Sequence, residues 1–283
     1  MRALVTGAAG QLGIDVVRAW TDAGDDVTGL DRSALDITDR SAVLRVVDGI
    51  RPDVVVNCGA WTAVDACEAD PDRADLANAR AVEHLAEACD AVGARLVQVS
   101  TDYVFDGTLD RPYREDDATN PQSVYGRSKL AGEHAALRLG DRAVVVRTSW
   151  VCGVHGNNMV KTVLRLAAER PELAFVHDQV GHPTFTQDLA PLLRTVVQHG
   201  LHGVVHATNR VACSWYEFAR EVVAASGRDP SMVRPIATAD LQPPRPAPRP
   251  ANSVLENAVL AASGIPLLRD HCEAVAETVA ALR

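Results

Sequence analysis

The sequence predicts an α/β protein, a Rossmann-type doubly wound parallel sheet followed by a smaller C-terminal lobe. Three observations carry that prediction. A short apolar run at 2–6 leads at once into Gly7, Gly10 and Gly13 in GxxGxxG spacing, and then into a segment of helical periodicity. Apolar runs of strand length go on alternating with amphipathic segments through the first 150 residues. The second such run closes on an acid, Asp31, eighteen residues beyond Gly13.

Taken in order, 2–6 (RALVT) is a buried parallel strand and 12–23 a helix that stops at Gly24. Of the three glycines, the first makes the tight turn, the second admits a pyrophosphate and the third lets helix and strand pack closely. With Gln11 and Leu12 they form a candidate cofactor-binding turn, the anion resting on the helix N-terminus. Strand 26–30 ends at Asp31, an acid placed to bond the adenosine ribose hydroxyls and thus pointing to NAD. Arg32 follows directly and can cradle a 2′-phosphate, so NADH and NADPH both stay open.

A helix is expected over 39–49, with Thr38 or Asp39 as its N-cap. Asp36 and Ile37, just before it, either flank the adenine or only shape the loop. Strand 53–57 releases Ala60, Trp61 and Thr62 at its carboxyl end, where open parallel sheets bind ligands. These three are assigned to the cofactor, with simple packing the equal alternative for Trp61. Residues 75–92 read as one long amphipathic helix whose Asn78 and His84 serve structure. Strand 95–100 delivers Ser100, Thr101 and Asp102 to the same edge, and a polar loop at 106–120 leads to a helix over 122–139. Strand 143–149 ends at Trp150.

The chemistry concentrates between Val99 and Glu133. Tyr125 and Lys129 stand four apart, on one face of the expected helix. A free tyrosine, with a pKa of about 10, exchanges protons poorly at neutral pH. A lysine cation beside it favours the phenolate and should draw that pKa down. Thr101 can offer a hydroxyl to a carbonyl oxygen held against the tyrosine. Together these groups suit reduction of a ketone by a hydride donor. A YxxxK spacing also arises by chance, but this chain has only two lysines, Lys129 and Lys161, among its 28 basic residues. A lysine retained where arginine is otherwise universal suits a role for a compact point charge.

Composition bounds the alternatives. A length of 283 residues suits one large α/β domain or a large and a small lobe. The net charge of −9 argues against nucleic-acid binding. Six scattered cysteines, without a CxxC, read as thiols in a reducing cytosol rather than as disulfides or a zinc site. No secretory leader and no apolar run of membrane-spanning length is apparent, so a cytoplasmic location is expected. His202 and His206 straddle a strand rather than a helix, and no metal site is assigned.

Beyond the glycine motif, STDYVFDG at 100–107, YGRSKLAGE at 125–133, RTSW at 147–150, NMVK at 158–161, DQVGHPT at 178–184 and RPANS at 249–253 follow in order. With these segments the chain resembles the extended short-chain dehydrogenase/reductase superfamily and, within it, the dTDP-4-dehydrorhamnose reductase family. GxxGxxG and YxxxK specify only the superfamily; the other segments are more specific and span nearly the whole chain. The resemblance implies a catalytic triad of Thr101, Tyr125 and Lys129, with Tyr125 and Lys129 also at the cofactor beside Ser100. It implies sugar contact by Trp150, and hydride transfer to C4 of a 4-keto-6-deoxy sugar carried on dTDP. Two departures, CGAWT at 58–62 and Cys152, lie outside the triad. Some relatives hold magnesium between carboxylates at a dimer interface, but Gln187 stands where one acid is expected.

Residues 1–150 are assigned to cofactor binding and 151–283 mainly to a nucleotide-sugar lobe, with about 185–207 returning to the first unit. Helices are expected at 159–168, 188–199, 215–226 and 272–282, a turn-rich loop at 179–184 and a short strand at 203–207. Asn158 and Lys161 are candidate diphosphate donors, the latter alternatively a solvated helix residue. The proline-rich 241–250 reads as a stiff loop presenting Arg249 to a phosphate, or else as a partner motif. Asp102 and Tyr103 complete the expected substrate set. The expected partners are NADPH or NADH and a dTDP-sugar, with the chain a monomer or homodimer and neither nucleic acid nor membrane involved. Two other readings stay open: a 4-ketoreductase for another dTDP-deoxysugar, and a non-catalytic NADP-binding subunit like that of methionine adenosyltransferase.

Overall fold

The computed structural model describes residues 1–283. Its main sheet is built from β1 (Arg2–Thr6), β2 (Asp26–Leu30), β3 (Val54–Asn57), β4 (Arg95–Thr101), β5 (Ala143–Thr148) and a last strand, Gly203–His206. The spatial order is Gly203–His206, β5, β4, β3, β1, β2, and every pairing is parallel. Every residue of β3 and β5 is buried, as a parallel sheet covered on both faces requires. After β2 the chain crosses back over β1 to form β3, so the strand order reverses between β1 and β3. The crevice beyond the carboxyl ends of those two strands is where such sheets accept ligands.

Helices cover both faces. On one, Val16 and Trp20 of the Gln11–Asp22 helix and Leu189 and Leu193 of the Thr186–Gln198 helix pack on Val5, Val56 and Val146. Trp20 donates its indole N–H to the Ala190 carbonyl at 3.0 Å, which allows so large a side chain to be wholly buried. On the other, Val43 and Val47, Leu85 and Cys89, and Ala135 and Ala136 pack on Leu4, Val55 and Val145. Each aliphatic side chain so buried contributes roughly 1.5–3 kcal/mol. A second core gathers Val163, Phe185, Phe218, Val222 and Val275 from the Met159–Glu169, Trp215–Ala225 and His271–Ala281 helices and their neighbours. The Thr186–Gln198 helix, the Gly203–His206 strand, Leu260 and Ile265 pack instead with the main sheet.

Most expected elements lie within two residues of their observed ends. The 75–92 helix does not. Residues Val64–Ala69 and Pro71–Asp75 form two short helices, Leu76–Arg80 is a π-helical turn, and Ala81–Val92 is the α-helix. Pro71 has no N–H and starts a helix, which Asp70 caps by accepting from the Arg73 amide at 3.1 Å. The wide turn aims Asn78 inward, where it bonds Trp61 and Ser128, and so a tertiary contact overrides the helical period. The Leu173–Val176 and Val233–Ile236 strands, which pair in parallel, were also missed: each is four residues long and its partner lies sixty residues away. The expected 179–184 loop contains two short bridges, Val180–Gly181 to Cys213–Ser214 and Thr184–Phe185 to Val151–Cys152.

Two buried histidines make stability depend on pH. Burial pushes His182 down to about 4, and burial with the Arg147 charge pushes His206 down to about 3. An unfolded histidine titrates near pH 6.5, so between about 6.5 and 4 the unfolded chain binds protons that the folded chain refuses. Tm should therefore fall steadily as pH drops through that window. His182→Gln should make the fall shallower in thermal melts; an unchanged slope would show that His182 does not contribute.

Candidate active site

The glycine turn, the loop after β3 and the end of β2 surround a cavity of about 330 Å³ beyond the strand ends. Gly7 has a φ of +67°, and a Cβ there would lie 2.7 Å from the Gly59 amide nitrogen. At Gly13 a Cβ would lie 2.2 Å from the Gly7 carbonyl, so the turn closes only on glycine. No side chain caps the Gln11–Asp22 helix at Gly10, leaving its first amides free to meet an anion.

Of the residues expected at a cofactor, Gly7, Gly10, Asp31, Arg32, Asp36, Ile37, Ala60 and Trp61 line this cavity. Gln11, Leu12, Gly13, Thr62, Ser100, Tyr125 and Lys129 are not part of its wall. Asp31 Oδ1 accepts from the Ser33 amide, the Ser33 hydroxyl and the Ala34 amide, bonds that hold its carboxyl below the usual range. Arg32 pairs with Asp36 at 3.4 Å and is otherwise exposed. Gln11 turns the other way, donating to the Val151 carbonyl at 2.8 Å and accepting from Asn158 at 2.7 Å.

Tyr125 and Lys129 lie on the Val124–Leu137 helix, which Ser123 caps by accepting from the Gly126 amide. Both side chains are buried, as are Thr101 and Asp102 at the end of β4. Tyr103 meets Tyr125 edge-on with ring centroids 5.5 Å apart. The Lys129 ammonium donates to the Val99 carbonyl at 2.7 Å, and it is close enough to the cavity-lining Cys58 to interact with it electrostatically. Thr101 donates to Asp102 Oδ1 at 2.8 Å and accepts from the Tyr103 amide at 3.2 Å.

The electrostatics differ from the sequence expectation. Burial raises the Tyr125 phenol above its ordinary value, opposed by hydrogen bonding with Thr101, and Lys129 is not among the groups that shift it. Burial also pushes Lys129 down to about 8, with the Glu133 charge opposing. Desolvation outweighs the attraction expected to bring the phenol down. Tyr125 is thus a neutral acid at neutral pH. Burial pushes Asp102 up to about 6, and its Oδ2 has no partner although the residue is 2% exposed.

A second layer, invisible in the motif, fixes these groups. Glu133, one turn beyond Lys129, receives a forked pair from Arg147 of β5 at 3.0 and 2.7 Å, and the Ser100 hydroxyl at 2.5 Å. Ser100 is therefore turned toward the helix and away from the cavity. Asn78 donates to the Ser128 hydroxyl at 3.0 Å and to the Trp61 carbonyl at 3.0 Å, and accepts from the Trp61 amide at 2.8 Å. It joins the helix one residue before Lys129 to the loop after β3.

Of the expected substrate residues, Asn158, Lys161 and Arg249 have donors engaged within the chain. Trp150, at a φ of +44°, stacks on Trp215 with centroids 3.5 Å apart. Asn158 caps the Met159–Glu169 helix and donates to Gln11 and to the Gly153 carbonyl. Lys161 donates to the Gly156 carbonyl at 2.8 Å. Arg249 forks onto Asp65, with both bonds at 2.8 Å. Gln187 donates to Glu277 at 2.9 Å, and the Arg269 guanidinium bridges Glu277 and Asp188.

Comparison with known proteins places this geometry. The whole chain, residues 1–283, matches the family described as the RmlD substrate binding domain. It is also 46% identical over 287 residues to the dTDP-4-dehydrorhamnose reductase of Streptomyces griseus, covering 99% of this chain and 94% of that protein. The chain belongs to the dTDP-4-dehydrorhamnose reductase family. A solved family member from Clostridium acetobutylicum superposes with a TM-score of 0.96 at 42% identity, covering 100% of this chain and 99% of that one. Another, from Bacillus anthracis and solved in complex with NADP, gives 0.95 at 36% identity, covering 99% of each chain. Sequence reasoning missed Arg73, Leu76 and Ala77 in the cavity wall of this family member. Arg73 lies over the Trp61 ring at 4.3 Å from its centroid. Arg73 sits in the stretch 63–74, to which no element was assigned, and Leu76 and Ala77 in the stretch read as uniform helix, so no signal marked them.

Proposed function

We propose that this protein reduces the C4 ketone of dTDP-4-dehydro-6-deoxy-L-mannose to give dTDP-L-rhamnose, using NADPH or NADH. The observation that carries the reading is the assembly of buried Tyr125, Thr101 and Lys129 at the sheet edge that also bears the uncapped glycine turn. The family membership and the names of its relatives support the substrate. Gly7, Gly10 and the first amides of the Gln11–Asp22 helix would hold the pyrophosphate, and Asp31, Arg32, Ile37 and Trp61 the adenosine end. A bound reduced nicotinamide supplies the hydride. Tyr125 gives its proton to the developing alkoxide, a stronger base than the phenolate even with the phenol raised by burial. Thr101 orients the carbonyl oxygen, and Lys129 holds the nicotinamide ribose. Trp150 faces the sugar. Arg249, Lys161 and Asn158 grip the diphosphate, Arg249 by exchanging the Asp65 carboxylate for phosphate oxygens.

A second reading, reduction of another dTDP-linked 4-keto sugar, has support from a Streptomyces antibioticus relative. It is a probable dTDP-4,6-dihydroxy-2-methyloxan-3-one 4-ketoreductase, 44% identical across 98% of this chain and 94% of that protein. The two are separated by following NADPH and NADH oxidation with the 4-keto sugar made in situ by a 4,6-dehydratase, with and without an epimerase. Turnover that needs the epimerase supports the rhamnose reading, and turnover without it supports the other sugar. Cofactor binding without turnover on either would leave a non-catalytic NADP-binding subunit.

The same assay carries a pH prediction. Lys129 holds its proton below about pH 8 and loses it above, while Tyr125 stays protonated across the range. The kcat/KM should be flat from pH 6 to 7.5 and fall about tenfold per unit once pH passes well beyond about 8. Lys129→Met should remove that limb along with most of the activity. A profile still flat at pH 10 would remove Lys129⁺ from the mechanism.

A further inference from the structure

Away from the cleft, the second lobe brings together three metal-ligating groups of different chemistry. Glu221 comes from the Trp215–Ala225 helix, and His271 and Cys272 from the start of the His271–Ala281 helix. The ligating atoms of all three lie within 4.8 Å of one another. Glu221 Oε2 is 2.7 Å from His271 Nε2, and Cys272 Sγ is 3.8 Å from the same nitrogen. His271 is fully buried, Glu221 is half-buried and Cys272 is exposed, so the group opens to solvent on the cysteine side.

The imidazole is held in the form a metal needs. His271 Nδ1 lies 2.9 Å from the Val211 carbonyl and 3.2 Å from the Arg210 carbonyl, both acceptors. Nδ1 therefore carries hydrogen, and Nε2 is the atom turned to Glu221 and Cys272. Val211 presents its carbonyl from a φ of +69°, a conformation a β-branched residue rarely adopts. Nothing in the proposed reduction uses these residues.

We propose that Glu221, His271 Nε2 and Cys272 Sγ form a site for one divalent zinc-like cation, with solvent in the fourth position. Zinc bonds of about 2.0–2.3 Å to nitrogen, oxygen and sulfur set tetrahedral ligand separations of roughly 3.3–3.6 Å. The sulfur–nitrogen distance is already within a few tenths of an ångström of that. The carboxylate has to open by roughly half an ångström, and Glu221 is free to do so on its solvent side. One thiolate and one carboxylate balance the cation, and the mixed donor set favours zinc over magnesium or calcium. On binding, the cation displaces the Cys272 thiol proton. Bound there, it staples the last helix to the Trp215–Ala225 helix.

The test is calorimetric titration of Zn²⁺ into the full-length, tag-free, chelator-treated protein at pH 7, in buffers of different ionisation enthalpy. One site is expected, with a Kd of about 1 μM or lower and with release of at least the thiol proton. Saturating zinc should raise Tm by roughly 5–10 °C. Co²⁺ should give a thiolate-to-metal charge-transfer band. Cys272→Ser, at an exposed position, should lose that band and weaken binding at least about thirtyfold, with reductase turnover unchanged; Glu221→Gln should weaken it by a similar factor. Either no saturable binding or equal affinity in Cys272→Ser would overturn the proposal. A cobalt complex lacking the sulfur band would do the same.

Discussion

Tyr125→Phe should lower kcat by about 10²–10⁴-fold while cofactor affinity and Tm stay near their wild-type values. The substitution removes one oxygen from a buried side chain and keeps the ring that packs edge-on against Tyr103. Asp102, although raised to about 6, is largely ionised at neutral pH and does not replace the phenol as an acid. Loss of the phenol therefore leaves the developing alkoxide to solvent. The measurement is single-turnover NADPH oxidation beside a fluorescence titration of cofactor binding. A variant that retained more than a tenth of the wild-type rate would exclude Tyr125 as the proton donor. A loss confined to KM would instead make it a substrate-positioning group.

Glu133→Ala should be the most destabilising single change near the site, costing about 3–5 kcal/mol. Glu133 and Arg147 are 1% and 5% exposed at their side chains, and the arginine already has one nitrogen, Nη1, without a partner. Removing the carboxylate leaves a buried guanidinium with only the Phe105 face beside it. For a chain of this size the cost corresponds to a fall in Tm of roughly 6–20 °C. Glu133→Leu combined with Arg147→Met should recover much of that stability, because an apolar pair needs no desolvation. Activity should stay low in the double variant, since the Ser100 hydroxyl and the Lys129 ammonium both lose the Glu133 charge. Recovery of stability and rate together would show the ion pair to be purely structural.

What could be read in advance follows the range of the interactions concerned. GxxGxxG between strand and helix, Asp31 at the end of β2, and Tyr125 with Lys129 at helical spacing are local patterns with one geometric solution each. They carried the sheet and the crevice, and they put Tyr125 and Lys129 on one helix, where both are buried. Ser100 shows the limit: it stands at the correct strand end, but its hydroxyl follows the Glu133 charge 33 residues on. Arg249 is similar, since a phosphate-seeking arginine and one paired with Asp65, 184 residues away, look identical in a sequence. Helix periodicity failed at Leu76–Arg80 because Asn78 gains more from its bonds to Trp61 and Ser128 than one regular turn offers.

By itself the sequence determined the six strands of the main sheet and the long helices between them, the parallel sheet and the residue types able to reduce a ketone, because steric rules and short-range periodicity govern those. Tertiary structure alone decided the protonation behaviour. Burial holds Tyr125 above and Lys129 below their ordinary values, and desolvation depends on every neighbour that excludes water, whatever its place in the chain. It also decided the Glu221–His271–Cys272 cluster, in which Glu221 precedes the other two by about fifty residues and meets them only because two helices pack.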